Sequence, residues 1–358
     1  MKWIYLVMVF TGTINMAAGQ VKTENLVIVT LDGMRWQEVF GGADTALLNN
    51  KIYTKDSSGT NRDFWSASGE ERRKKLFPFL WNTVAIQGQL YGNRWFGNKV
   101  DNANRYYFSY PGYNEIFTGY PDTMVNSNDK LWNKNTNVLE FINRQKMYED
   151  KVAAFTTWDV FPYILNAQKN GLYVNADLDT LQFKEPSLQL INDMQFLTTR
   201  PVGVRPDVFT YFAAREYMKA YQPKVLYIAF DETDDFAHHG EYDQYLKSAH
   251  AEDAMIADIW TYIQSSVKYK DKTTLVVTTD HGRGDKIKDN WQHHGAKVDD
   301  AGQIWIAAIG PDTAPLGEIK TPALLYQKQL AATFAKLLNM AFKVGHPVAD
   351  PIESIYKK

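Results

Sequence analysis

The segment Asn25-Leu26-Val27-Ile28-Val29-Thr30-Leu31-Asp32-Gly33 (NLVIVTLDG) is a nearly unbroken apolar run that stops at an acid and a glycine. A run without polar alternation describes a strand buried on both faces, and such strands belong to parallel sheets covered by helices on either side. Lys224–Phe230 (KVLYIAF) has the same design and runs into Asp231-Glu232-Thr233-Asp234. So do Thr274–Thr279 (TLVVTT), which meets Asp280-His281-Gly282, and Ile304–Ile309 (IWIAAI), which meets Gly310-Pro311. Further strands are predicted at Gln89–Tyr91 and Lys151–Thr156, and helices at 77–87, 112–119, 206–220, 242–266 and 325–340. Strands alternating with helical segments give an α/β chain with a mainly parallel central sheet.

At 358 residues, 45% hydrophobic and 22% charged, the chain can bury a large core as one unit. Its formal charge of −2, with no like-charge run longer than Arg72–Lys75, argues against a nucleic-acid polymer as the main partner and favours a small molecule. Residues 1–19 read as a signal peptide, with Lys2, the apolar run Trp3–Phe10, and then Ala17, Ala18 and Gly19. Residues 20–358 are then one catalytic domain with loop insertions, expected in the periplasm or secreted. No other segment is long and apolar enough to span a membrane. The chain has no cysteine, which excludes disulfides, thiolate metal ligands and a cysteine nucleophile. The polar stretch 41–76 reads as an insertion or mobile loop, 120–137 as a loop, and the tail from Gly345 as peripheral.

In open parallel sheets ligands bind beyond the carboxyl ends of the strands. Asp32, Asp234 and Asp280 each follow a predicted strand, and His238, His239, His281, His293 and His294 lie in or just after the same connections. One acid after a strand is commonly a turn or helix cap. Three acids interleaved with paired histidines form a metal-binding pattern, because Asp oxygen and His nitrogen suit zinc and similar divalent ions. Asp234 and His238, four residues apart, can serve one ion from a single helical turn, and the adjacent Asp280-His281 pair can serve another.

Strand-Asp-Gly near the start, then Ser109-Tyr110-Pro111 before Thr118-Gly119-Tyr120-Pro121, Asp234-x-x-x-His238, Asp280-His281-Gly282 and His294-Gly295 follow in this order. The series resembles the alkaline phosphatase superfamily, nearest its type I phosphodiesterase/nucleotide pyrophosphatase branch, over roughly Asn25 to Pro311. The resemblance implies a three-layer α/β sandwich and a two-metal phosphohydrolase working through a phosphoserine. Asp32, Asp280 and His281 would hold one ion together with the nucleophile Ser109, and Asp234, His238 and His294 the other. His294 is preferred to His293 because it directly precedes Gly295. The ions are expected to be Zn2+, with manganese or iron also compatible. Asn128 resembles the family asparagine that binds a phosphate oxygen, and Arg35, Arg283 and Trp158 are further candidates for substrate contact.

Two departures narrow the reading. Sulfatases of this superfamily use a Cys/Ser-x-Pro-x-Arg motif, and Tyr113 stands in place of that arginine. Monoesterases of this kind often add a cationic pair after the strand that follows the nucleophile, whereas Thr157-Trp158-Asp159 contains no cation. A phosphodiesterase is therefore preferred to a phosphomonoesterase. A binding protein that has lost turnover is disfavoured by the complete ligand set.

Overall fold

A computed structural model describes residues 21–357. The predicted signal peptide at 1–19 lies outside the described residues. The strands are β1 Asn25–Leu31, β2 Gln89–Tyr91, β3 Asn98–Asp101, β4 Val152–Thr156, β5 Tyr173–Ala176, β6 Val225–Phe230, β7 Thr273–Thr278, β8 Gln303–Ile304, β9 Ile306–Ile309, β10 Gly317–Glu318 and β11 Ala323–Tyr326. Eight of them form one sheet in the order β10-β2-β9-β7-β1-β6-β4-β5, and β11-β3-β8 form a small second sheet.

The NLVIVTL strand lies inside the large sheet, parallel to β6 on one side and β7 on the other. Its alternate residues divide between two cores. Val27, Val29 and Leu31 pack into an apolar layer with the helices Trp36–Gly41, Asp207–Tyr221 and Tyr242–Ser265. Leu26 and Ile28 pack into the opposite layer with Ser109–Thr118, Val138–Asn143 and Leu330–Leu337. Each such buried side chain contributes roughly 1.5–3 kcal/mol, which is why the strand carries no polar alternation. The result is a three-layer α/β sandwich.

Several expectations are corrected. The predicted strand 304–309 is split at Trp305, and β9 runs antiparallel to β7, so Gly310-Pro311 lies at the rim opposite Asp32. The stretch 41–76 is not a mobile loop: it contains helices Thr45–Leu48, Ser57–Phe64 and Gly69–Leu76. The Asp and Ser residues that suggested turns are their N-caps, with Asp44, Asp56 and Ser68 each accepting backbone N–H bonds. The predicted helix 325–340 begins late, because Ala323–Tyr326 pairs with β3 before the chain turns into Leu330–Leu337. The stretch 120–137 contains no helix or strand. In the tail, Ile352 and Ile355 are buried, so its end packs on the core.

Candidate active site

The parallel neighbours β6, β1 and β7 end on one rim, and this is where the predicted acids meet. Asp32 follows β1 directly and Asp280 lies two residues beyond β7. Asp234 and His238 sit one turn apart on the short helix Glu232–His238 that follows β6. Ligand atoms of Asp32, Asp280 and His281 lie within 4.8 Å of one another, as do those of Asp234, His281 and His294. His281 Nε2 is 3.3 Å from Asp32 Oδ1, 3.4 Å from Asp280 Oδ2 and 3.8 Å from Asp234 Oδ1. His238 closes the second group, with Nε2 3.1 Å from Asp234 Oδ2 and 2.9 Å from His294 Nε2. His294, not His293, faces the acids, and His239 and His293 are exposed.

Main-chain oxygens orient the imidazoles. His281 Nδ1 contacts the Gly282 carbonyl at 3.0 Å and His294 Nδ1 the Tyr107 carbonyl at 3.1 Å, which turns both Nε2 atoms towards the carboxylates. Tyr107 reaches His294 from a left-handed backbone at φ 54°, held by Asn104 Oδ1, which accepts from the N–H groups of Tyr106 and Tyr107.

Ser109 is the first residue of the helix Ser109–Thr118, not a residue before it, and Phe108 takes the cap position. The hydroxyl Oγ lies 3.4 Å from His281 Nε2. The helix comes this close because Gly112 presses on the end of β7: a Cβ there would stand 2.4 Å from the Asp280 carbonyl oxygen. Asn128 lies beside the start of the Ser109 helix, its Oδ1 accepting the Tyr110 N–H at 2.9 Å.

One oxygen of each acid in the first group is held by the protein and the other is left over. Tyr113, one turn after Ser109, donates its buried hydroxyl to Asp32 Oδ2 at 2.8 Å. Gly33 N–H donates to Asp280 Oδ1 at 3.1 Å. Asp32 Oδ1 and Asp280 Oδ2 are buried without a hydrogen-bond partner among the described residues. Burial and the nearby Asp234 charge push the Asp32 carboxyl well above its ordinary range. Burial and the Asp32 charge push Asp280 up to about 8. For Asp234 burial works in the same direction, but Arg283, His294 and His238 outweigh it and hold the carboxyl well below the usual range. Two unpartnered buried carboxylate oxygens converging on one imidazole nitrogen are costly unless a cation joins them, so the donor set fits a divalent ion.

The other predicted contacts are placed differently. Arg35 is fully buried and donates to Glu38, at 2.8 Å from Nε and 2.9 Å from Nη2, and to the Gly284 carbonyl, because Glu38 follows one helical turn later. It is a core ion pair, not a phosphate contact. Arg283 is likewise buried, bonded to the Asp234 carboxylate and to the carbonyls of Asp234 and Gln292. Its charge is matched by the Asp234 carboxylate. Trp158 is half-buried and meets Phe161 edge-on at 6.3 Å, on the apolar layer beneath the Ser109 helix. Sequence reasoning missed Tyr113 as the partner of Asp32. It also missed Lys130, two residues after Asn128, whose Nζ lies 2.6 Å from Asp159.

Among solved structures the chain is similar to the lipoteichoic acid synthase LtaP from Listeria monocytogenes, with 14% identity, a TM-score of 0.61, and coverage of 94% of this chain and 77% of that one. It is also similar to the alkaline phosphatase PafA, with 10% identity, a TM-score of 0.61, and coverage of 93% and 99%. A third is the phosphonate monoester hydrolase SpPMH from Silicibacter pomeroyi, with 13% identity, a TM-score of 0.57, and coverage of 88% and 73%. At these identities the likeness is one of fold. No curated protein sequence matches the chain. Enzymes of the alkaline phosphatase superfamily use divalent metals, and the two Asp/His groups are able to hold them. The family description type I phosphodiesterase/nucleotide pyrophosphatase matches residues 43–328, a span containing Ser109 and every candidate ligand except Asp32. The chain belongs to the type I phosphodiesterase/nucleotide pyrophosphatase family and is a phosphoester hydrolase built on the alkaline phosphatase fold.

Proposed function

We propose that the protein is an exported two-metal phosphodiesterase that works through a phosphoserine on Ser109. The observation carrying this reading is that Ser109 Oγ, at the start of a helix, lies 3.4 Å from the imidazole nitrogen on which the two unpartnered carboxylate oxygens converge. Asp32, Asp280, His281 and Ser109 would hold one ion, and Asp234, His238 and His294 the other, with Zn2+ the expected metal. Bound ions supply Lewis-acid charge to the phosphoryl oxygens and lower the pKa of hydroxyl groups they touch.

The residues supply the rest. The helix start offers the Ser109 backbone N–H and a positive dipole end to the phosphoryl anion, the Tyr110 N–H being taken by Asn128 and Pro111 having none. Asn128, anchored on Tyr110 N–H, sets its amide beside Ser109. Ser109 Oγ forms a bond to phosphorus while the ester bond to the leaving alcohol breaks, and the alcohol departs with a proton. Water then attacks phosphorus, Ser109 Oγ leaves as its hydroxyl, and the phosphate monoester is released.

Preference for a diester is supported by the cations. Arg35 and Arg283 are both committed to buried carboxylates. Thr157 donates its hydroxyl to Asp207 and accepts from the Thr210 hydroxyl. Lys130 beside Asp159 favours a second reading, a phosphomonoesterase in which this ammonium meets the extra charge of a dianion. Export is supported by Lys2, the Trp3–Phe10 run and Ala17-Ala18-Gly19.

The test compares p-nitrophenyl phosphate with its bis-ester, with chelator and zinc add-back. The expected outcome is faster bis-ester hydrolysis, abolished by chelation and restored by zinc. Ser109→Ala should lower the rate by at least about a thousandfold. Activity that survives either change would refute the mechanism. Faster hydrolysis of the monoester, lost in Lys130→Ala, would establish the second reading.

A further inference from the structure

We infer that Arg283 is a built-in counter-charge for Asp234 that makes the two ion sites unequal: the Asp32–Asp280–His281 site fills first and tightly, the Asp234–His238–His294 site second and weakly. The inference rests on the two-ion reading above and concerns the order in which the sites load.

Arg283 is 1% exposed and locked from several directions. Its Nη1 donates to the Gln292 carbonyl at 2.6 Å, and its Nη2 donates to the Asp234 carbonyl at 3.0 Å as well as to the Asp234 carboxylate. A guanidinium held on two backbone oxygens cannot swing away when an ion arrives. The fold also makes room for the pair. Gly33 adopts φ +58°, and a Cβ there would stand 2.6 Å from Asp234 Oδ1 and 2.9 Å from Arg283 Nε. The turn after β1 is thus shaped to let this guanidinium and carboxylate pack beneath it.

Among the described residues no Arg or Lys is ion-paired with Asp32 or Asp280, and Arg283 acts on Asp32 only through space. The first site offers two carboxylates, each with one buried oxygen lacking a donor, and a neutral imidazole, for a formal charge of −2 that a divalent ion cancels. The second site offers one carboxylate already matched by Arg283 and two imidazoles, for a formal charge of zero. An ion there is not cancelled by its own ligand set, although Asp235 lies nearby, and it sits close to a guanidinium, which weakens its binding in a poorly solvated site. The residual positive charge falls where an anionic phosphoryl group would sit.

The test is equilibrium dialysis of the metal-free full chain against Zn2+, with bound metal counted and the melting temperature recorded. Wild type should take up two ions in steps at least about tenfold apart. His238→Ala, which alters a partly exposed side chain, should lose the weaker step and keep the tighter one. Arg283→Gln and Arg283→Met should tighten the weaker step by at least about tenfold, leave the tighter step unchanged, and enlarge the rise in melting temperature on saturation. Arg283→Lys, which keeps the charge, should retain two separated steps. The inference is overturned if the wild-type steps coincide, if His238→Ala removes the tighter step, or if folded Arg283→Gln leaves the weaker step unmoved. Two ions bound with any of these results leaves the two-ion reading intact. Uptake of fewer than two ions by wild type overturns both. Should the Arg283 variants fail to fold, the wild-type separation and the His238→Ala result still decide.

Discussion

Tyr113 fixes the geometry of the first acid. Its hydroxyl is the donor to Asp32 Oδ2, and Asp32 Oδ1 is the oxygen left for an ion. Tyr113→Phe keeps the ring that packs on Phe161 and removes only that donor. Loss of an outer partner of this kind costs roughly ten- to a hundredfold in metal affinity. Chelator competition should show this weakening on the tighter ion with little change in fold, and an unchanged affinity would show that Tyr113 is packing alone. The sequence pointed to the ligands but not to Tyr113. Acids after strands and the His-Gly pair carry a spacing signal, whereas a tyrosine one turn along a buried helix is indistinguishable from core until Asp32, 81 residues away, is placed against it. Arg35 and Arg283 misled for a related reason. Both sit close in sequence to candidate ligand residues, but buried carboxylates need counter-charges, and the nearest guanidinia are consumed by Glu38 and Asp234.

At the level of elements, strands buried on both faces were legible because burial alone dictates their composition. Direction was not. Ile304–Ile309 reads like its parallel neighbours, and only pairing reveals that β9 is reversed. The segment 77–87 shows a second limit. It was predicted as one helix, but Leu80–Val84 is a π-helix followed by Ala85–Gln87. Its start is fastened from outside: Asp253, on the long helix Tyr242–Ser265, accepts the N–H groups of Phe79 at 2.7 Å and Leu80 at 3.1 Å, using one oxygen for each. Asp253→Asn keeps the shape but replaces one acceptor with a donor facing a buried N–H. The expected cost is about 1–3 kcal/mol, read as a lower urea midpoint with unchanged slope. An unaltered midpoint would mean that packing alone holds this segment.

Across the whole molecule, the parallel strands deliver more buried acid to one rim than the described cations neutralise. Burial, and then repulsion among the acids, pushes Asp280 and Glu232 up to about 8 and Asp235 up to about 6. Burial also raises Asp207 to about 6, and with neighbouring acids it lifts Asp231 and Glu252 well above their ordinary range. In the unfolded chain these groups titrate near about 4. Between roughly pH 4 and 8 the metal-free native state therefore holds more protons than the unfolded state, so its stability falls as pH rises through this window. Each excess proton is worth about 1.4 kcal/mol per pH unit. Asp234 runs the opposite way: its lowered carboxyl contributes stability that is present above the unfolded value and is lost as pH falls, below this window. On the two-ion reading, bound ions would take the place of protons on the candidate ligand acids and so relieve the penalty where it is greatest. Chelation should therefore lower the melting temperature more at pH 8.5 than at pH 5.5, and the metal-free protein should itself melt lower at the higher pH. A chelation penalty equal at both values, or larger in acid, would show that the rim acids are neutralised by something other than protons and metal.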